Sequence, residues 1–168
     1  MTAGKRRTAR EMAIQMLYQS DLGGSPLPQI FHVFDLSPYL AGEPEETPAP
    51  RRADPERGDP TRKRKRIDDA FAFAQALVQG TLAHREEIDG LIRGQADNWR
   101  LERMPAVDRN ILRLAVYEML HHPETPKLVV VDEAIELAKK FGSEQSGRFV
   151  NGLLDGLLKQ HSFPGSLT

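Results

Sequence analysis

The residues of this 168-residue chain that could perform acid–base or metal chemistry are its histidines and one acidic cluster. The five histidines stand at positions 32, 84, 121, 122 and 161. No two are four residues apart, the spacing that places two imidazoles on one face of a helix to hold a metal. Asp132, Glu133 and Glu136 are better explained as a helix cap and a solvated helix face than as a Mg²⁺ or acid–base site. The chain has no cysteine, which excludes thiolate catalysis and cysteine-ligated metals. We therefore expect no catalytic residue, metal or cofactor.

Binding chemistry is indicated by a basic cluster near the start of the chain. Lys5, Arg6, Arg7 and Arg10 occur within ten residues that contain no acidic side chain. The net charge of the whole chain is only −1, so any attraction to a polyanion must come from a local patch. The cluster is either such a patch or a solubilising tail.

A helix is predicted to position this cluster. Ala9, Met12, Ala13 and Met16 follow the i, i+3, i+4, i+7 spacing of one buried helical face. Thr8 and Glu11 have the spacing of a capping box, which would start the helix at Thr8. Lys5, Arg6 and Arg7 would then form a mobile arm, with Arg10 in the first helical turn.

The remaining sequence predicts an all-α, compact single-domain bundle of about seven helices. A short second helix is indicated from Leu27, and no segment has convincing strand character. The further helices are expected within 68–82, 88–92, 107–120 and 132–141, the last of these capped by Asp132, followed by a final helix capped by Ser143.

Residues 41–66 interrupt this pattern and are predicted to form a flexible insertion. Prolines and charges of both signs are dense there, apolar residues are few, and the stretch ends in RKRKR at 62–66. Such a composition buries too little apolar surface to offset the entropy of ordering it. We interpret the basic run as a solvated tether; nonspecific RNA affinity is the alternative, and no sequence-reading role is assigned to it.

Three segments resemble one protein family. RRTAREMAIQMLYQ, MPAVDRNILRLAVYEM and VDEAIELAKKFGSEQSGRFVNGLLD are similar to the NusB family of bacterial transcription antitermination factors. The resemblance implies an all-α protein that binds the single-stranded boxA element of nascent RNA. It also implies pairing with NusE, a small-subunit ribosomal protein, within the RNA polymerase antitermination complex of ribosomal RNA operons. The insertion inherits nothing from this resemblance.

The resemblance also implies roles for particular residues. RNA-binding positions would be Arg6, Arg7, Arg10, Phe141, Gln145, Arg148 and Phe149, and NusE-contacting positions would be Tyr18 and Asp108. Arginines can donate bidentate hydrogen bonds to phosphates, and aromatic rings can stack on unpaired bases. Two alternatives remain at single positions, since Phe149 also lies on an apolar stripe and Asp108 is placed to cap a helix.

Two other functions stay open at this point. The chain could be a purely protein-binding helical adaptor, or an RNA-binding accessory domain related to that of a ribosomal-RNA cytosine methyltransferase. The chain has neither the cysteine nor the α/β domain that methyl transfer would need. No apolar run is long enough to span a membrane, so we expect a cytoplasmic protein. The resemblance leaves a monomer and a homodimer equally open.

Overall fold

The computed structural model describes residues 3–41, 59–96 and 100–165, and regular structure over these ranges is entirely helical. The α-helices are α1 (Ala3–Gly23), α2 (Leu27–Val33), α3 (Ser37–Ala41), α4 (Pro60–Ala83), α5 (Arg85–Gln95), α6 (Ala106–His121), α7 (Lys127–Phe141) and α8 (Ser146–Gln160), with a 3-10 turn at Leu101–Arg103. The predicted all-α class is confirmed. None of the described helices is long and apolar enough to cross a membrane.

Helix α6 lies at the centre of the bundle. It contacts α1, α4, α5, α7 and α8, and it is buried without interruption from Asn110 to Val116. Helix α1 packs against α4 and α6 through the face predicted from its spacing, because Ala9, Met12, Ala13 and Met16 are all fully buried. Burial of that apolar face is the main force that holds α1 in the bundle.

The start of α1 differs from the prediction. Arg6 and Arg7 are helical residues rather than an arm ahead of the helix, and the predicted capping box does not form. The Thr8 hydroxyl instead donates to the carbonyl oxygen of Gly4 at 3.0 Å, inside the helix. Neighbouring helices support the early turn, because Lys5 pairs with Asp69 of α4 at 3.1 Å and Arg7 pairs with α7.

The predicted boundary of the insertion was also wrong at its C-terminal side. Residues 60–66, including RKRKR, form the first turns of α4. The Asp59 carboxylate accepts a hydrogen bond from the Thr61 N–H at 3.0 Å, and Pro60 occupies the first helical position, where no N–H is needed. The Asp-Pro-Thr signal outweighs the charge density that suggested a tether. Residues 42–58 of the predicted insertion lie outside the described residues.

Two other helix starts differ from the predicted caps. Helix α7 begins directly after Pro126 rather than at Asp132, so the three consecutive valines are helical. Burial of Val130 and Val131 against the core outweighs their preference for strands. Helix α8 begins at Ser146, whose hydroxyl oxygen accepts a hydrogen bond from the Ser143 N–H at 2.9 Å. The serine side chain that organises this start is therefore Ser146.

A polar network fastens α1 and α5 to α6. The Asp21 carboxylate accepts hydrogen bonds from Arg109 at 2.7 Å and Asn110 at 3.0 Å, and Arg113 donates to Asp89 at 2.8 Å. Burial opposes ionisation of Asp21, but the hydrogen bonds and charges of the arginines outweigh it, so the pKa of Asp21 is lowered. The network fixes the angle at which α1 crosses the bundle.

Candidate functional site

Arg7 is an exposed cation on the N-terminal half of α1. Its guanidinium donates two hydrogen bonds to Glu133 of α7, at 2.8 and 3.1 Å, while 57% of its side-chain surface stays exposed. These hydrogen bonds, with the opposite charge, raise the pKa of Arg7 and lower that of Glu133. The Glu133 side chain is only 15% exposed, so the pair is open to solvent on the Arg7 side. From that side the Arg7 guanidinium is accessible to an incoming anion.

Arg10, by contrast, is buried. Its guanidinium forms a bidentate ion pair with Glu118 of α6, with a shortest distance of 2.8 Å, and both side chains are 4% exposed. The predicted position of Arg10 next to a mobile arm was therefore wrong. In the folded chain its charge is used to hold α1 against α6, because a buried guanidinium requires a compensating carboxylate.

Arg6 lies half-buried on a third side of α1. Its Nε atom is buried and has no hydrogen-bond partner among the described residues. Glu124, at the corner between α6 and α7, has a lowered pKa, caused chiefly by hydrogen bonds from its own backbone N–H and His122 and in smaller part by the charge of Arg6. Arg6 thus faces the α6–α7 corner and retains an unused donor.

The junction between α7 and α8 places Phe141 and Gln145 at the surface. Phe141 is half-buried, with the Lys140 ammonium 5.6 Å from its ring centroid, and Gln145 is exposed. Gly142 makes the tight connection possible, since a Cβ atom there would overlap the Ser146 side chain and crowd the Ala138 carbonyl oxygen at 2.7 Å. The junction therefore presents an aromatic ring, an amide and a cation on a closely packed turn.

Arg148 and Phe149 occupy another part of α8. Both line a cleft of about 290 Å³ together with Gln95 and Ala96 at the end of α5. Arg148 is exposed, whereas Phe149 is half-buried and packs against the hydrophobic core. Phe149 therefore has a packing role, and its remaining exposed edge faces this cleft.

The structure brings α1 beside the end of α7. Lys140 pairs with Glu11 of α1 at 3.0 Å. Glu11 lies one turn of α1 after Arg7, which pairs with Glu133. Arg7, Lys140 and Phe141 therefore belong to one continuous surface. Across the described residues, no hydrogen bond or ion pair joins Arg148 to α1. The N-terminal cations therefore lie beside the end of α7, while Arg148 lies towards α5.

The two residues predicted to contact a protein partner differ in accessibility. Tyr18 on α1 is 40% exposed, and the exposed Leu22 follows it one turn later. Asp108 is only 4% exposed, and its Oδ1 atom is buried without a hydrogen-bond partner among the described residues. Asp108 lies in the first turn of α6, where a carboxylate complements the helix dipole. It does not cap the helix, because the cap position is occupied by Pro105.

The comparison that decides the family is the match of the NusB family model to residues 7–159. This chain belongs to the NusB family. The transcription antitermination protein NusB of Myxococcus xanthus (strain DK1622) is 41% identical over 152 residues, which cover 90% of this chain and 93% of that protein. The NusB structure from T. maritima is 32% identical, covers 96% of this chain and 94% of its own, and superposes with a TM-score of 0.67.

A second solved structure shows what a NusB protein assembles with. It contains the antitermination factors NusB and NusE in complex with double-stranded RNA. Its matched chain is 26% identical to this one, the match covers 95% of this chain and 100% of the other, and the TM-score is 0.64. The family match begins at residue 7, so Lys5 and Arg6 lie outside it.

The sequence also contains functional-surface residues that the predictions missed. Lys140 was not among the predicted binding residues, although it is exposed and joins α7 to α1. Lys63 and Arg66 were assigned to a tether, although they line a cleft with Lys5 and Thr8. Lys63 and Arg66 share a helical face only if α4 begins at Pro60. A helical projection from that start would have identified them.

Proposed function

We propose that this chain is a transcription antitermination factor that binds boxA-type single-stranded RNA together with the ribosomal protein NusE. The observation that carries the proposal is its likeness, over nearly the whole chain, to a NusB protein seen with NusE and double-stranded RNA; the single-stranded boxA ligand is what the family resemblance implies. The role is binding rather than catalysis, and it is exercised in the cytoplasm within the RNA polymerase antitermination complex.

The RNA-binding surface in this proposal is centred where α1 lies beside the end of α7. Arg7 supplies an exposed planar donor, Lys140 a second cation, and Phe141 and Gln145 supply a ring and an amide for unpaired bases. Arg6 adds positive charge near this surface, although its unpaired Nε atom is buried. Arg148 and the exposed edge of Phe149 bind RNA that continues towards α5.

Two of the originally predicted residues act indirectly in this proposal. Arg10 holds α1 in place through Glu118, and Asp108 supports the first turn of α6, because both side chains are buried. Tyr18 and Leu22 form the exposed apolar part of the NusE surface on α1. Their exposure on one helical face is what a protein partner requires.

The test of this site is the substitution Arg7→Gln, with Arg93→Gln as its matched control. Arg93 is 54% exposed and pairs with Glu102 at 3.2 Å, so both arginines are exposed, ion-paired and carry the same charge. R7Q should weaken boxA RNA binding and reduce the log–log salt slope by about 0.7, the value for one phosphate contact to a single strand. R93Q should leave both unchanged. An equal effect of the two substitutions would show that only overall charge matters.

A further inference from the structure

A second basic surface lies in a cleft between the first turns of α1 and of α4. The cleft has a volume of about 240 Å³ and is lined by Gly4, Lys5, Thr8, Lys63, Arg66, Ile67 and Ala70. Three of these seven residues are cations from two different helices, and one of the three, Lys5, is paired with Asp69 of α4 at 3.1 Å. The cleft is therefore built by tertiary packing and is not a property of the RKRKR run alone.

The two cations that α4 contributes to the cleft are not neutralised within the described residues. The side chains of Lys63 and Arg66 make no ion pair or hydrogen bond there, while Arg64 makes an exposed contact with Asp68 at 3.4 Å. The first turn of α4 also has no acidic residue. Lys63, in this first turn, opposes the helix dipole at a cost in stability, whereas Arg66 lies one turn further into the helix. Their presence is explained if they bind an anion from outside the chain.

The position of Thr8 connects this cleft with the proposed RNA surface. Thr8 lines the cleft, and Glu11, three residues later, pairs with Lys140 of α7. Residues three apart are neighbours on a helix surface. The N-terminal half of α1 thus has the α7 contact on one side and the α4 cleft on the other. A strand that crosses α1 from the end of α7 arrives at Lys63 and Arg66.

The chemistry of the lining selects phosphate rather than bases. The cleft lining combines ammonium, guanidinium and hydroxyl groups with a glycine and the apolar residues Ile67 and Ala70, and it contains no aromatic ring. Ammonium and guanidinium groups bind phosphodiester oxygens irrespective of sequence, whereas base recognition in single strands relies on stacking. The expected ligand is therefore the backbone of an RNA strand.

We propose that the cleft between α1 and α4 binds the phosphodiester backbone of single-stranded RNA that flanks the boxA element. This inference rests on the proposed function, since it extends the same RNA track. The cleft adds affinity for longer RNA and reads no sequence. The first turns of α4 are therefore part of the binding surface.

The experiment compares Lys63→Gln/Arg66→Gln with the control Arg93→Gln/Lys159→Gln in the full chain. Both control residues are exposed and ion-paired, on α5 and α8, and glutamine keeps helix propensity in each case. Binding is measured for an RNA carrying only boxA and for the same RNA extended by unstructured flanks, at several salt concentrations. K63Q/R66Q should lower the salt slope for the extended RNA by about 1.4, the sum of two phosphate contacts. The affinity of K63Q/R66Q for the short RNA should equal that of the native chain.

The outcomes separate this inference from the proposed function. Equal salt slopes for K63Q/R66Q and the native chain on extended RNA would overturn the inference. So would unchanged RNA binding accompanied by loss of NusE binding, which would make the cleft a protein surface. Failure of the native chain to prefer boxA over a scrambled RNA would instead contradict the proposed function. The charge-preserving variant Lys63→Arg/Arg66→Lys should keep the native salt slope for the extended RNA.

Discussion

Individual arginines of the basic cluster have different roles because each faces a different neighbour of α1. Arg7 meets α7 at the surface, whereas Arg10 meets α6 in the interior. An exposed ion pair contributes little to stability, but breaking a buried one leaves an uncompensated charge. In the proposed function, the same residue type therefore serves ligand binding at one position and packing at another.

The pair formed by Arg10 and Glu118 provides a prediction at this scale. Arg10→Met should destabilise the chain by about 3–5 kcal/mol, because the Glu118 carboxylate stays buried without its partner. The double variant Arg10→Met/Glu118→Met should recover most of that loss, since both charges are then removed. Urea unfolding of Arg10→Met, of Glu118→Met and of the double variant measures the coupling free energy between the two side chains.

The cycle also distinguishes a packing role from RNA contact. The double variant, once folded, should bind boxA RNA with the native salt slope, because Arg10 contacts no phosphate. Additive losses of stability in the cycle would contradict a coupled pair. A salt slope reduced by about 0.7 in the double variant would show that Arg10 reaches the RNA after all.

The helices α7 and α8 depend on a glycine at their junction. Gly142 approaches the Ala138 carbonyl oxygen and Ser146 too closely for any side chain, whereas a Cβ atom at Gly147 would have ordinary contacts at 3.8 Å with Ile135 and Lys139. These two glycines therefore form a matched pair within one segment. Substituting alanine at each position in turn distinguishes the effect of crowding at the junction from the effect of losing a glycine.

Gly142→Ala should destabilise the chain by about 1–3 kcal/mol, the usual cost of overpacking, and weaken boxA RNA binding by displacing Phe141 and Gln145. Gly147→Ala should leave stability unchanged or raise it by about 0.5–1 kcal/mol, because alanine is preferred within helices. Thermal unfolding and RNA titration of both variants provide the comparison. Similar behaviour of the two variants would exclude a special role for the junction.

The elements also show what the sequence can and cannot predict. The buried stripe of α1 and the all-α class follow from periodicity, which depends on burial alone. The helix start at Lys127 was missed because burial of the valines outweighs their preference for strands. The helix start at Pro60 was missed because the cap by Asp59 outweighs the charge density that suggested a tether. The burial of Arg10 was missed because its partner, Glu118, is distant in sequence and faces it only after folding.

At the scale of the whole molecule, local cations act against a nearly neutral background. The net charge of −1 provides no long-range attraction for RNA. In the proposed function, affinity comes from the surface where α1 meets α7, from the cleft with α4, and from NusE bound nearby. A chain of this kind should bind RNA weakly alone and more tightly with its protein partner, since linked contacts on one RNA raise the effective affinity.

The most direct test of this account is the affinity of the purified chain for boxA RNA and for a scrambled RNA of equal composition, each measured with and without NusE. We expect boxA to be preferred in both conditions and NusE to strengthen boxA binding more than binding of the scrambled RNA. Equal affinity for the two RNAs, with NusE present as well as absent, would contradict the account.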